Sequence, residues 1–221
     1  GRYGPIYAWK AIWETLLQWL TDSDAPNLTW EPRVGPQYRQ DDALPETAQE
    51  DAFHKSVKWF RRSALFSIGQ DKGVIEGYES HIDHEGRQRP RVWVRADCVA
   101  ESALVFAYDW AITGDPDSRH LAGQILDYVW TSKELNQSDP SSPVYGLENW
   151  FVRGTAFYGD DNARVILPSI AASNILNDDR WDVPIIRCIL ANLRTTGPLG
   201  FRRARLDYPA SFSDGKDWQY H

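Results

Sequence analysis

ADCVAESALVFAYDWAIT (96–113) runs into GDPD (114–117) and then SRHLAGQILDYVWTSKE (118–134), and the three pieces together specify a helical hairpin. In the first piece Val99, Ala103, Leu104, Val105, Phe106, Ala107 and Trp110 leave almost no polar face, which is the pattern of a helix buried all round. Gly114 stops that helix, and an acidic cap with proline in the first turn starts the next. The third piece sets Leu121, Ile125, Leu126 and Val129 on one side and Arg119, Gln124, Asp127 and Lys133 on the other. It is an outer helix laid against an inner one.

The pairing recurs on both sides of this stretch. Residues 160–176 are apolar on most sides, and NDDR (177–180) joins them by a short turn to a mixed helix ending near Arg194. Pro168 is expected to kink the inner member. Toward the N-terminus, Ile6, Trp9, Trp13, Leu16, Leu17 and Leu20 face a narrow polar stripe of Lys10, Glu14 and Gln18, which predicts a largely buried helix. Residues 46–68 set Phe53, Val57, Phe60 and Ala64 against Lys55, Lys58, Arg61 and Arg62, the pattern of a half-exposed one. Three α-hairpins are expected. The turns at 114–117 and 177–181 are short, whereas 69–94, 135–158 and 196–221 are long, so the long connections gather at one end, where function is usually carried. GVIEGY (73–78) and RVWV (91–94) flank HEGR (84–87) and predict a small β-hairpin insertion near 73–94, with Pro90 limiting one strand to an edge.

The chain has 221 residues, with 31 acidic and 24 basic side chains and a net charge of −7, enough length for one domain (1–221) and too acidic for phosphate-driven nucleic-acid binding. No apolar run reaches the roughly 18–20 residues that span a bilayer. Methionine is absent, which favours a fragment or processed product. Cys98 and Cys188 sit in apolar helical patterns and are expected as buried thiols, although an oxidising compartment would let them pair, so localisation stays open. Eleven tryptophans and ten tyrosines offer rings for stacking on sugars, or alternatively fill an aromatic core.

The alternation of inner and outer helices, ITGDP (112–116) before an outer helix, and YGDDNA (158–163) opening an inner one together resemble the six-hairpin glycosidase superfamily, over about residues 3–200. The resemblance implies an all-α, (α/α)6 toroid and a carbohydrate substrate. Asp160-Asp161 is similar to the Tyr-Asp-Asp motif of bacterial α-1,6-mannanases, whose neighbouring aspartates act as nucleophile and acid/base; here Gly159 separates them from Tyr158. Other families of the superfamily act on uronic-acid glycans. A full ring has six hairpins, so three imply about half a toroid, its apolar surface covered by a missing half or by a homo-oligomer partner. The aromatic ending Trp218–His221 fits a missing C-terminal half.

Glycoside hydrolysis needs two carboxyl groups, and neighbours in the first turn of a helix can supply them: the helix end keeps one ionised while like-charge repulsion leaves the other its proton. Asp160 and Asp161 are therefore the candidate catalytic pair, with an ordinary N-cap as the competing reading. The loop 145–153 combines Tyr145, Glu148, Asn149, Trp150 and Arg153, a mixture suited to a sugar subsite or equally to a loop pinned by buried rings. Trp93, Arg95 and Asp97 open the preceding inner helix at the same rim. Glu76, Glu79, His81 and Asp83 alternate along the ribbon as a lip or a solvated face. Tyr158 and Arg202 complete the substrate-binding candidates; arginine outnumbers lysine 18 to 6, and its fork suits a carboxylate-bearing sugar unless genome composition explains it. No metal-ligand spacing or phosphate loop occurs, so no cofactor is expected. The reading is a glycoside hydrolase. The alternatives are a polysaccharide lyase or sugar epimerase, in which His81 or Tyr158 would matter more, and a non-catalytic sugar-binding or scaffold array.

Overall fold

A computed structural model describes residues 6–24, 26–29, 37–38, 41–67 and 73–212. Tyr3, where the resemblance begins, and Trp218–His221 lie outside them. The chain is mostly α-helical and divides into two compact units, one holding 1–48 and 78–89, the other 49–77 and 90–221.

The larger unit is built on the hairpin α4 (Ala96–Thr113) and α5 (Pro116–Thr131). Gly114 takes φ 71° and donates its N–H to the Trp110 carbonyl, closing α4, while Asp115 accepts from the Asp117 N–H at 3.1 Å and opens α5. The buried apolar positions of α4 are four alanines with Val99 and Phe106, small side chains that let neighbouring helices pack close. Against α4 lies α6 (Gly159–Leu176), which continues as one element through the buried Pro168 and ends at Asn177 in the left-handed region. Ile185, Cys188 and Ala191 of α7 (Asp182–Arg194) recur at helical spacing and form its buried face, packed on α6. Two buried indoles are satisfied between helices: Trp130 Nε1 donates to Ser169 Oγ at 3.1 Å, and Trp181 Nε1 to Asp127 Oδ1 at 2.9 Å. Arg61 ties α2 (Ala48–Arg62) to the α4–α5 turn through Asp109, Asp115 and Ser118.

Several elements depart from the sequence reading. The helix expected over 46–68 breaks at Ser63, whose Oγ donates to the Phe60 carbonyl, and a four-residue α3 (Ala64–Ser67) follows. The outer helix stops at Thr131, where Ser132 takes an extended conformation, three residues short of expectation. α1 (Ile6–Thr21) forms, yet Trp13, Leu16, Trp19 and Leu20 are exposed, so it is not the buried helix expected; its own small unit supplies no described core to receive those side chains. Because α1 and α2 fall in separate units, α4–α5 and α6–α7 are the two expected hairpins that are seen.

The ribbon forms as β1 (Ile75–Ile82) and β2 (Gln88–Val94), turned by Asp83, which accepts from the N–H groups of Glu85 and Arg87 at 2.9 Å each. A second pair was not anticipated: β3 (Ala156–Tyr158) runs antiparallel to β4 (Arg205–Asp207), with Phe157 opposite Leu206, both buried in the cluster with Val144, Leu147 and Ala191. Both cysteines are free thiols; burial pushes Cys98 up to about 12.

Candidate functional site

The starts of α4 and α6 meet at one rim. Arg95, extended at the N-terminal edge of α4, places Nε 3.1 Å from Asp97 Oδ1 and Nη2 3.0 Å from Asp97 Oδ2, and the same Nη2 lies 2.8 Å from Asp161 Oδ1 on α6. One guanidinium nitrogen thus serves two carboxylates from two helices. Glu76 of β1 accepts from Arg95 Nη1 at 3.3 Å and from Arg91 at 3.1 Å. From below, Arg164 reaches Asp97 Oδ2 at 2.7 Å and forks onto Glu101 at 2.7 and 2.8 Å.

The two aspartates are unequal. The Asp97 side chain is 1% exposed and held by two guanidinium groups, whereas Asp161 is 5% exposed and held by one. Burial, followed by the charge of Asp97, pushes the Asp161 carboxyl up to about 6, against the Arg95 hydrogen bond, which favours the ionised form. The result is a carboxyl able to exchange a proton near neutral pH, set beside the more deeply buried Asp97.

Four rings stand over this cluster. Trp150 meets Phe151 at 4.4 Å, Trp93 at 5.6 Å and Tyr158 at 5.8 Å, and the Trp93 and Phe151 rings stack at 5.3 Å and 25°. The Arg95 guanidinium lies 5.6 Å from the Trp150 ring centre, joining the charged and aromatic parts. Backbone bonds hold the rings in place: Val152 N–H donates to Val94, Ala96 N–H to Trp150, and Trp150 N–H to Ala156. Trp93 is half exposed. Arg205 stacks on Tyr158 and donates to its hydroxyl at 3.0 Å.

Trp93, Arg95, Asp97, Trp150, Tyr158 and Asp161 therefore come together at this rim. Asp160 and Asp161 do not share a partner: adjacent helical residues point about 100° apart, and Asp160 is exposed where Asp161 is buried. The partner that Asp161 meets is Asp97. The other candidates separate from this cluster. Tyr145 packs beneath Arg187 of α7, and its carbonyl accepts from Arg194. Arg153 takes φ 64°, is exposed and pairs with Glu134 at 3.7 Å. Asn149 is buried and pins the loop by donating to the Glu134 carbonyl. Glu148 is fully buried, with Oε1 accepting from Asn136 and Oε2 unpartnered, and burial raises its carboxyl well above the usual range. Its backbone exchanges hydrogen bonds with the Asn162 amide at 3.1 and 3.0 Å, which makes loop 145–153 a support for α6. Arg202 donates to Asn192 and to the Phe157 carbonyl, and burial lowers its pKa. It braces α7 against β3.

Arg164 was missed by the sequence reading, although it stands three residues after Asp161, on the same helix face, where a partner for acids of that rim belongs. His81 is exposed on the ribbon tip and belongs to the smaller unit. Among the described residues, no group of three or more His, Cys, Asp or Glu side chains could hold a metal ion, and no helix is long and apolar enough to cross a membrane. Compared with protein-family models, with curated proteins and with solved structures, the chain matches none.

Proposed function

We propose that the chain is part of a glycoside hydrolase acting on a polysaccharide or oligosaccharide, neutral or uronic-acid-containing, and that its two inner–outer hairpins belong to an α/α-toroid. The observation that carries this reading is the cluster in which Arg95 joins Asp97 and Asp161 from two helices beside four packed rings, where burial and the Asp97 charge push the Asp161 carboxyl up to about 6. In this reading a pyranose stacks on Trp93. Asp161 gives its proton to the glycosidic oxygen as the C–O bond breaks, and a water attacks the anomeric carbon, losing its proton to exposed Asp160, whose side chain diverges from Asp161 and so stands as a base and not as a close nucleophile. Asp97 and Arg95 are positioning residues: the first keeps the proton on Asp161 and the second fixes its orientation.

The near-complete burial of Asp97 and Asp161 favours a second reading, in which the ion network holds the rim and the rings bind sugar without turnover. The two are separated by incubating the chain with a panel of neutral and uronic oligosaccharides. Chromatography of the products reads hydrolysis, and ligand-observed NMR reads binding. Released fragments support the hydrolase; binding that Trp93→Ala abolishes, with no products, supports the binding module. Neither signal on any glycan contradicts both.

A further inference from the structure

Helices α6 and α7 carry an apolar face that no described residue covers. Leu167 and Ile170 on α6, with Val183, Ile186, Leu190 and Leu193 on α7, are between 45% and 66% exposed. The α7 members follow one another at steps of three, four and three residues, a single stripe along the helix. The stripe is self-complementary about position 188: Val183 mirrors Leu193, Ile186 mirrors Leu190, and Asp182 mirrors Arg194. Asp182 and Arg194 are both exposed, and among the described residues neither has an ion-pair partner; Arg194 donates to the Tyr145 carbonyl, an uncharged acceptor.

We infer that α7 is the two-fold face of a homodimer, pairing antiparallel with α7 of a second copy about Cys188. In that arrangement each Asp182 meets the other copy's Arg194, aliphatic meets aliphatic along the stripe, and the helix dipoles oppose. A parallel arrangement puts Asp182 against Asp182 and Arg194 against Arg194, which the like charges disfavour. Leu167 and Ile170 flank the seam. Cys188 faces the interior and forms no bridge across the axis. The charge pattern is what selects a second copy over another partner, since it needs no foreign surface to be satisfied at both ends.

Sedimentation velocity of the chain from about 1 to 100 µM tests this. The expected result is a monomer–dimer equilibrium that Leu190→Glu shifts to monomer. Asp182→Arg weakens it about tenfold, because one reversal turns two symmetry-related attractions into repulsions. The double variant Asp182→Arg with Arg194→Asp restores wild-type association to within about threefold, which a merely perturbed surface does not do. A monomer at the highest concentration, open-ended aggregation, a dimer indifferent to Leu190→Glu, or a double variant no tighter than Asp182→Arg alone overturns the proposal. Circular dichroism confirms that each variant is folded.

Discussion

Replacing Asp161 by asparagine is expected to stabilise the fold at neutral pH. The folded carboxyl titrates near 6 because of burial and the charge of Asp97, and an unfolded aspartate near 3.8. Between those values the native chain binds more protons than the unfolded one, so stability from this group is fully present below about 3.8 and is lost as pH rises through 6. Ionising it at pH 7 costs up to about 3 kcal/mol, and coupling to Asp97 reduces that to about 1–2 kcal/mol for the single site. An amide keeps an oxygen for Arg95, 2.8 Å away, and never charges. Urea unfolding of wild type and Asp161→Asn, compared at each pH from 4 to 8, reads the difference directly, because groups common to both cancel. The variant should match wild type near pH 4 and exceed it by about 1–2 kcal/mol at pH 7. A variant less stable than wild type at pH 7, or a difference that does not change with pH, refutes the electrostatic account of this pair.

Arg95→Leu leaves Glu76, Asp97 and Asp161 without their shared donor and should cost about 3 kcal/mol of unfolding free energy in the same urea assay, Arg164 still holding Asp97. Glu148→Gln should change stability by less than about 1 kcal/mol at pH 7, since burial disfavours the charged carboxylate and an amide fits its Asn136 contact; a loss near 3 kcal/mol shows that it is charged. Gly146→Ala should lower stability by about 2 kcal/mol or more in thermal unfolding, because φ is 86° and a Cβ there falls 2.8 Å from Arg187 Cγ and 2.9 Å from its carbonyl oxygen.

What could be read from sequence was set by how local its cause is. The α4–α5 hairpin follows from GDPD alone, since the stop, cap and first-turn proline act within four residues. β3 and β4 escaped because three-residue strands show no alternation, and their pairing joins segments about fifty residues apart. The exposure of α1 was misread because its apolar periodicity requires a partner surface and does not provide one. At the candidate site, residue types and the rim were legible from two helix starts, but the Asp97–Asp161 pairing depends on α4 lying beside α6. Adjacency in sequence pointed to Asp160, and adjacency in space points to Asp97. Tyr145 and Glu148 looked like substrate contacts because a loop that braces a helix uses the same polar and aromatic residues as one that binds a sugar.

The central claim is that the Asp161 carboxyl donates a proton to a glycosidic oxygen. Its most direct test is the rate of oligosaccharide cleavage by wild type and by Asp161→Asn at pH 6, on whichever panel member is cleaved fastest, with folding of both confirmed. Loss of turnover by about a hundredfold or more, in a variant at least as stable as wild type, is the predicted result. Wild-type rates in the Asp161→Asn chain, or a folded wild-type chain that cleaves no glycan, contradict it.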